Sequence, residues 1–309
     1  MQGENQESHL ICTKPKFGKS PRLGWRTRVC APHYNRSVIS VIQVGRVDYA
    51  SGLRLQQQLV ELRKAGEIGD VLLLLEHTPV ITLGRNAKAA NVLLPPEQLA
   101  LRGVEVFDCD RGGDVTFHGP GQLVGYPVFD LRGFDSSRLS VLSSLDQHRR
   151  SPTVLKTLGA VDYVRRLEEV LIRTCADFGI AGQRVAGLTG VWTEAAPEAK
   201  IAAIGVHISR GVTSHGFALN VNTDLDFFDL IVPCGIASKP VTSMQKELGA
   251  AVDFNSVAES VSRNFGTVFA SQMLWVETVE ALLGNTVGVP LKAPSNFREL
   301  HKDDDSTWA

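Results

Sequence analysis

Short hydrophobic runs and amphipathic stretches follow one another along much of the chain. Residues 71–75 are a continuous run of valine and leucine, which is typical of a strand buried on both faces. Residues 161–178 place apolar side chains at steps of three or four, which predicts an amphipathic helix. The same pattern predicts further strands at residues 38–44, 79–83, 104–107, 123–131, 189–193, 200–209 and 213–221, and further helices at residues 48–65 and about 256–274.

These predicted elements decide the fold class. Strands outnumber helices, and strands and helices do not alternate regularly, which argues against a regular βαβ arrangement. We therefore predict an α+β fold with a mixed β-sheet flanked by helices. The sequence shows no internal repeat.

Composition changes this picture little. The chain has 309 residues, of which 43% are hydrophobic and 21% charged, as in an ordinary globular protein. A net charge of -1 gives no reason to expect nucleic acid as a partner. The apolar run at residues 71–75 is far too short to cross a bilayer, so we predict no membrane association. We expect a monomer, because no sustained heptad pattern or large apolar stripe is left over.

The ends of the chain differ from its middle. Residues 8–46 carry eight basic side chains and no acidic one, a composition typical of an organelle transit peptide. We predict a basic N-terminal segment at residues 1–37, a catalytic domain at residues 38–283 and a flexible tail at residues 284–309. The transit peptide predicts a mitochondrial protein; a basic arm without that function would leave the protein in the cytoplasm.

The cysteines give no sign of a disulfide framework or a metal site. They are odd in number and widely spaced, with no C-x-x-C pair, which indicates a reducing compartment. His118 and His215 lack the clustered spacing of zinc ligands, so we predict no metal. The five cysteines are Cys12, Cys30, Cys109, Cys175 and Cys234.

One cysteine and one lysine suggest nucleophilic chemistry. Cys234 lies in Ile-Val-Pro-Cys-Gly-Ile, and Lys200, 34 positions earlier, opens Lys-Ile-Ala-Ala-Ile-Gly. If neighbouring strands bring them together, the ammonium favours the thiolate, since a cysteine pKa of about 8.5 can fall to roughly 3.5–7.5 beside a cation. Taken alone, a cysteine after proline is more often a core residue, and a lysine there is more often a solvated strand end.

Two glycine-containing segments accompany this pair. Residues 111–122 read Arg-Gly-Gly-Asp-Val-Thr-Phe-His-Gly-Pro-Gly-Gln, and residues 214–220 read Ser-His-Gly-Phe-Ala-Leu-Asn. Glycine pairs let backbone N–H groups approach a ligand, although they also occur in ordinary tight turns. Together with the cysteine and lysine segments, these motifs resemble the lipoate-protein ligase B family, the octanoyl-[acyl-carrier-protein]:protein N-octanoyltransferases, over about residues 41–248.

The resemblance implies a biotin/lipoate protein ligase-like catalytic domain and a role for each motif. Cys234 is expected to carry the octanoyl group as a thioester, and Lys200 to lower the pKa of the thiol and later to accept a proton from the attacking amine. No cofactor is expected, since the thioester already supplies the free energy. The implied acyl-binding residues are Arg111, Gly112, Gly113, Asp114, Val115, Thr116, Phe117, His118, Ala203, Ile204, Gly205, Gly216, Phe217 and Ala218.

The resemblance also implies macromolecular partners. The expected donor is octanoyl-acyl carrier protein. The expected acceptors are the lipoyl domains of 2-oxoacid dehydrogenase complexes and the glycine cleavage H protein. Because these partners are acidic as a family expectation, basic residues such as Arg85, Lys88 and Arg102 are candidates for steering them.

One segment departs from the family pattern. Residues 133–160 are polar and rich in serine, and the family has a much shorter connection here, so we predict an inserted surface loop. An ordered lobe is the alternative.

Two other functions remain open. One is an ATP-using lipoate or biotin ligase, although the chain lacks the Gly-Arg-Gly-Arg loop of biotin ligases. The other is an inactive binder of lipoyl domains or carrier proteins, disabled by residues 133–160.

Overall fold

The computed structural model describes residues 37–134, 157–194, 197–233 and 239–283, and the backbone of residues 306–308. Most of the predicted N-terminal segment, inserted loop and C-terminal tail therefore lies outside the described residues. Cys234 also lies outside them.

Two sheets form the centre of the described fold. Nine strands make one mixed sheet in the order β11-β1-β2-β6-β10-β9-β8-β7, with β12 beside β9, and β4-β3-β5 make a smaller sheet. The strands are β1 Val38–Val47, β2 Asp70–His77, β3 Val80–Leu83, β4 Glu105–Asp108, β5 Val115–His118, β6 Gln122–Val128, β7 Gly182–Val185, β8 Leu188–Thr193, β9 Lys200–Ser209, β10 Val212–Asn220, β11 Gln272–Trp275 and β12 Ser306–Trp308.

The larger sheet is antiparallel except at one side, where β1 runs parallel to both β2 and β11. Helices cover both of its faces, so the predicted α+β class with a mixed, helix-flanked sheet is confirmed. The helices are α1 Tyr49–Ala65, α2 Pro96–Leu101, α3 Ala160–Asp177, α4 Met244–Leu248 and α5 Phe254–Val268. None of the helices in the described part of the chain has the length and apolar character needed to cross a membrane.

The side chains of strand β2 pack into two different cores, one on each face of the sheet. Leu72 and Leu74 belong to the core on the side of α3 and α5, where they join Phe265. Leu73 belongs to the core on the opposite side, together with Leu59 of α1. Alternate side chains of a strand point to opposite faces, so a central strand covered on both sides is apolar throughout.

The last predicted helix is shorter than expected. Helix α5 ends at Val268, Ala270 has a left-handed backbone with φ 53°, and the following residues form β11. The pairing of β11 with β1 is a long-range contact, and apolar periodicity alone does not distinguish it from another helical turn.

Candidate active site

A cavity of about 260 Å³ lies against the middle of the larger sheet. Strands β5, β6, β9 and β10 contribute to its wall, together with the start of α1, the glycine-rich loop before β5 and the turn between β7 and β8. Lys200 and most of the residues expected to bind the acyl group line it. Those residues are Arg111, Gly113, Asp114, Thr116, His118, Ala203, Ile204, Gly205, Gly216, Phe217 and Ala218.

Three of the expected residues lie behind this lining. Val115 and Phe117 belong to a separate apolar cluster under the smaller sheet, where the Phe117 ring stacks on Phe227 with centroids 4.7 Å apart. Their position follows from the alternation of side chains along β5, which sends Thr116 and His118 into the cavity. Gly112 contributes its backbone instead, since its N–H donates to the carbonyl of Val206 on β9 at 3.0 Å.

Small residues pair across β9 and β10 along the cavity floor. Ala203 lies opposite Ala218, and Gly205 lies opposite Gly216. A β-carbon at Gly205 would lie 2.7 Å from the carbonyl oxygen of Gly112, so the glycine allows the loop to lie directly on the sheet. The floor is therefore low and largely apolar, which suits an unbranched acyl chain.

Arg111 ties the glycine-rich loop to the smaller sheet. Its side chain is buried, and its guanidinium donates to the carbonyl oxygen of Thr82 at 2.8 Å and to the Thr82 hydroxyl at 2.9 Å. It also donates to the carbonyl of Gly112 at 3.0 Å. The described contacts therefore assign Arg111 to holding the loop while its charge remains beside the cavity.

Asp110, which the sequence did not single out, binds two histidines. One carboxylate oxygen lies 2.7 Å from Nδ1 of His207, and the other lies 2.7 Å from Nε2 of His215. Burial opposes the negative charge, but the hydrogen bonds and charges of the two histidines outweigh it and hold the pKa of Asp110 far below its usual range. This arrangement, the Asp110 clasp, fastens the loop to β9 and β10.

His215 also has an unusual backbone. Its φ of 55° lies in the left-handed region, which few non-glycine residues adopt, and its N–H donates to the side-chain oxygen of Gln56 on α1. The clasp and this bond together offset the backbone cost. They direct the His215 ring to the cavity wall.

His118 is neutral at the cavity. Its Nδ1 lies 2.7 Å from the side-chain oxygen of Gln122, whose amide in turn donates to Phe117 and Asn220. Because the Gln122 oxygen accepts, Nδ1 carries the proton and Nε2 holds a lone pair. Burial, followed by the charges of His77 and Arg111, lowers the pKa of His118 to about 3.

Tyr49 and Tyr126 line the buried end of the cavity, and His77 packs behind them. The Tyr126 hydroxyl lies 2.7 Å from Nε2 of His77, and Nδ1 of His77 donates to the carbonyl of Val47 at 3.2 Å. The Tyr49 ring packs 5.1 Å from the His77 ring. Burial lowers the pKa of His77 to about 4 and raises that of Tyr126. This end is therefore uncharged at neutral pH, and no local sequence signal distinguished it from ordinary core.

Lys200 begins β9 with its side chain almost buried. Its ammonium lies 5.0 Å from the centroid of the Trp192 ring, within the range of a cation–π interaction. Its backbone pairs with the segment after the cysteine motif, through its own N–H to Pro240 and its carbonyl to the N–H of Thr242, each at 2.9 Å. Pro233, which directly precedes Cys234, lines a second, small cavity together with Lys200.

In the described part of the chain, no cluster of three or more histidine, cysteine or acidic side chains is arranged to hold a metal ion. The site is built from neutral aromatic, small apolar and a few charged groups.

Comparisons with known proteins agree with this architecture. A family model described as the lipoyl protein ligase A/B catalytic domain matches residues 48–266. The octanoyltransferase of Koribacter versatilis is 57% identical over 267 residues, covering 86% of this chain and 98% of that protein. The octanoyltransferase of Acidobacterium capsulatum is 57% identical over 251 residues, covering 80% of this chain and 96% of that protein.

Solved structures share the fold at low sequence identity. A bi-partite lipoate protein ligase from Thermoplasma acidophilum has a TM-score of 0.57 at 16% identity, covering 80% of this chain and 91% of that chain. A lipoate-protein ligase A bound with ATP has the same TM-score at 14% identity, covering 80% of this chain and 92% of that chain. The predicted lipoate ligase type of fold is confirmed. The two relatives named above are bacterial, and bacteria have no mitochondria, so the predicted mitochondrial location gains no support.

Proposed function

This chain belongs to the lipoyl protein ligase A/B catalytic-domain family, and on that basis we propose that it is an octanoyltransferase acting in protein lipoylation. The observation that carries the proposal is the position of Lys200 at a cavity with a floor of alanine and glycine and an uncharged aromatic end. The name shared by the bacterial relatives supports the same activity.

In the proposed first step, the Cys234 thiolate attacks the thioester carbonyl of octanoyl-acyl carrier protein. A carbon–sulfur bond forms to Cys234, and the bond to the carrier's thiol breaks. The departing thiolate takes a proton from the Lys200 ammonium and leaves as a thiol. The products are an octanoyl thioester on Cys234 and a neutral lysine.

In the second step, the neutral amine of an acceptor lysine attacks that thioester. An amide bond forms, the Cys234 thiolate leaves, and the proton lost by the amine passes to Lys200. Both members of the dyad return to their starting charge, so the cycle needs no ATP or metal. Support for the dyad comes from Pro233, the residue before Cys234, which shares a small cavity with Lys200.

We further propose the partners and location that fit this reaction. The donor is octanoyl-acyl carrier protein, and the acceptors are lipoyl domains and the glycine cleavage H protein. Arg85, Lys88 and Arg102 remain candidates for attracting these acidic proteins. The bacterial relatives favour the cytoplasm over the mitochondrion.

The test is the intact mass of the protein after incubation with octanoyl-acyl carrier protein. We expect one octanoyl adduct that hydroxylamine removes and that a lipoyl domain accepts, and no adduct on Cys234→Ser. Lys200→Met should slow transfer by about 100-fold or more, the usual scale for a lost general acid or base.

Lys239→Met is the matched control, because Lys239 also lies over the Trp192 ring, at 5.5 Å, and is paired with Glu198. It should retain transfer within about threefold of wild type, since loss of a partly exposed ion pair has a small effect. Absence of an adduct on folded protein, with octanoylation from free octanoate and ATP, would replace the proposal with an ATP-using ligase.

A further inference from the structure

Glu168 is a carboxylate that the proposed reaction does not use, and it is completely buried. It lies on α3, where one of its oxygens binds the guanidinium groups of Arg165 at 2.6 Å and Arg184 at 3.0 Å. Its other oxygen accepts the backbone N–H of Gly190 on β8 at 3.2 Å. A buried carboxylate is costly to desolvate, so its contacts constrain the surrounding chain strongly.

The backbone of Gly190 is held in a conformation that other residues rarely adopt. Its φ is 122°, and the register of β8 against β9 shifts just after it, between Val191 and Trp192. A β-carbon at Gly190 would lie 2.6 Å from the carbonyl oxygen of Ala202. The missing side chain therefore lets β8 and β9 approach closely at this point.

Lys200 occupies the space that Gly190 leaves open. The same hypothetical β-carbon would lie 2.9 Å from Cε of Lys200 and 3.6 Å from its Nζ. On another side, the ammonium lies over the Trp192 ring at 5.0 Å. The backbone of Gly190 and the ring of Trp192 thus form the surface on which the lysine side chain rests.

We propose that Glu168 is a positioning residue for Lys200: it fixes the backbone of Gly190, and that backbone sets where the lysine ammonium lies in the cavity. The proposal rests on the proposed function in that it assigns Lys200 a part in acyl transfer. Glu168 lies on helix α3, outside the cavity lining. The proposal therefore makes a residue of the helical layer one of the determinants of the transfer rate.

The neighbouring Glu169 separates this role from simple charge pairing. Glu169 binds the same Arg184 at 2.9 Å and also Arg173 at 2.8 Å, from a more exposed position. The described contacts of Glu169 do not include Gly190. The two glutamates therefore share ion pairing with arginine and differ in the bond to β8, which makes Glu169 a matched control.

The first experiment compares Glu168→Ala with Glu169→Ala by steady-state transfer from octanoyl-acyl carrier protein. For Glu168→Ala we expect kcat to fall about 10- to 100-fold with the KM for the donor within about twofold, because a displacement of about 1 Å can cost that much. Glu169→Ala should stay within about twofold in both. Glu168→Gln should recover part of kcat, since its amide oxygen still accepts the Gly190 N–H.

The second experiment uses Gly190→Ala, which leaves Glu168 intact and fills the space under Lys200. We expect the same fall in kcat, and a crystal structure in which Nζ lies farther than 5.0 Å from the Trp192 centroid. Thermal unfolding of each variant identifies any that does not fold. The variants that do fold then test the positioning role of Glu168.

The proposal is overturned if folded Glu168→Ala keeps the wild-type kcat, or if only its KM changes. Absence of an acyl adduct on the wild-type protein would contradict the proposed function instead. In that case the position of Lys200 in the Gly190→Ala and Glu168→Ala crystal structures still tests the positioning.

Discussion

Two pairs of histidines lie at or behind the wall of the cavity, which His118 and His215 line, and the two pairs are held in different ways. His77 and His118 bond to a tyrosine hydroxyl and an amide oxygen, and burial keeps both neutral. His207 and His215 share the carboxylate of Asp110. All four are almost inaccessible to solvent, so the nature of the partner, and not the degree of burial, separates the two environments.

The two histidine pairs therefore have different roles at the cavity wall. The neutral pair places no charge at the end of the cavity that His118 and Tyr126 line. A charge beside the proposed acyl chain would be costly to desolvate. The Asp110 clasp instead uses charge-assisted bonds to attach the glycine-rich loop to the sheet, and such bonds are stronger than neutral ones. Histidine thus forms part of an uncharged wall in one place and fastens the glycine-rich loop to the sheet in the other.

Removing the clasp should have the largest effect. We expect Asp110→Asn to lower the free energy of unfolding by about 3 kcal/mol at pH 7, because two buried histidines lose a charged partner. Chemical denaturation measures this change. The Asp110 pKa is depressed in the folded state, so its contribution is present above about pH 4 and is lost as the pH falls further.

Asp114→Asn is the control for that experiment. Asp114 lies in the same loop, and among the described residues it accepts from the N–H groups of Lys88 and Val115 and from the Asn91 amide. We expect a loss of about 1 kcal/mol, the scale of an ordinary hydrogen bond. An equal loss in both variants would mean that the histidine pairing adds nothing.

The neutral pair should appear in the acid dependence of stability. Free histidine has a pKa of about 6.5, whereas His118 in the fold has a pKa of about 3, so between these values the unfolded chain binds a proton that the folded protein does not. Stability therefore falls on acidification, by about 1.4 kcal/mol per pH unit for this residue below pH 6. His118→Gln should remove that part of the slope.

Urea unfolding at half-unit steps from pH 6.5 to 4.5 measures this slope. His77→Gln should remove a similar part, since the pKa of His77 is about 4 in the fold. Slopes equal to that of wild type in both variants would show that the two histidines accept protons in the folded protein. The distinction between a neutral pair and the Asp110 clasp would then be wrong.

The smallest effect is expected at the closed end. Tyr126→Phe removes the hydroxyl that donates to His77 at 2.7 Å and should cost about 1 kcal/mol of unfolding free energy, with transfer within about threefold of wild type. A large fall in transfer would assign the hydroxyl a part in the reaction instead of in the wall.

Sequence patterns predicted the central sheet and much of the cavity for identifiable reasons. The run at residues 71–75 is apolar because β2 is covered on both faces, and the glycine and alanine positions of β9 and β10 carry the family motif. The Asp110 clasp left no such sign, because its bonds join residues 97 and 105 positions apart. The role of Glu168 likewise depends on a contact between a helix and a strand 22 positions away.

Strand β1 lies between β2 and β11, although residue 272 is far along the chain from residue 38. On the ribosome, one edge of β1 therefore stays open until nearly all of the described chain has been synthesised. An open edge of this kind is a template for pairing with other chains. The order of synthesis thus leaves β1 with an unpaired edge after the strands that line the cavity are complete at residue 220.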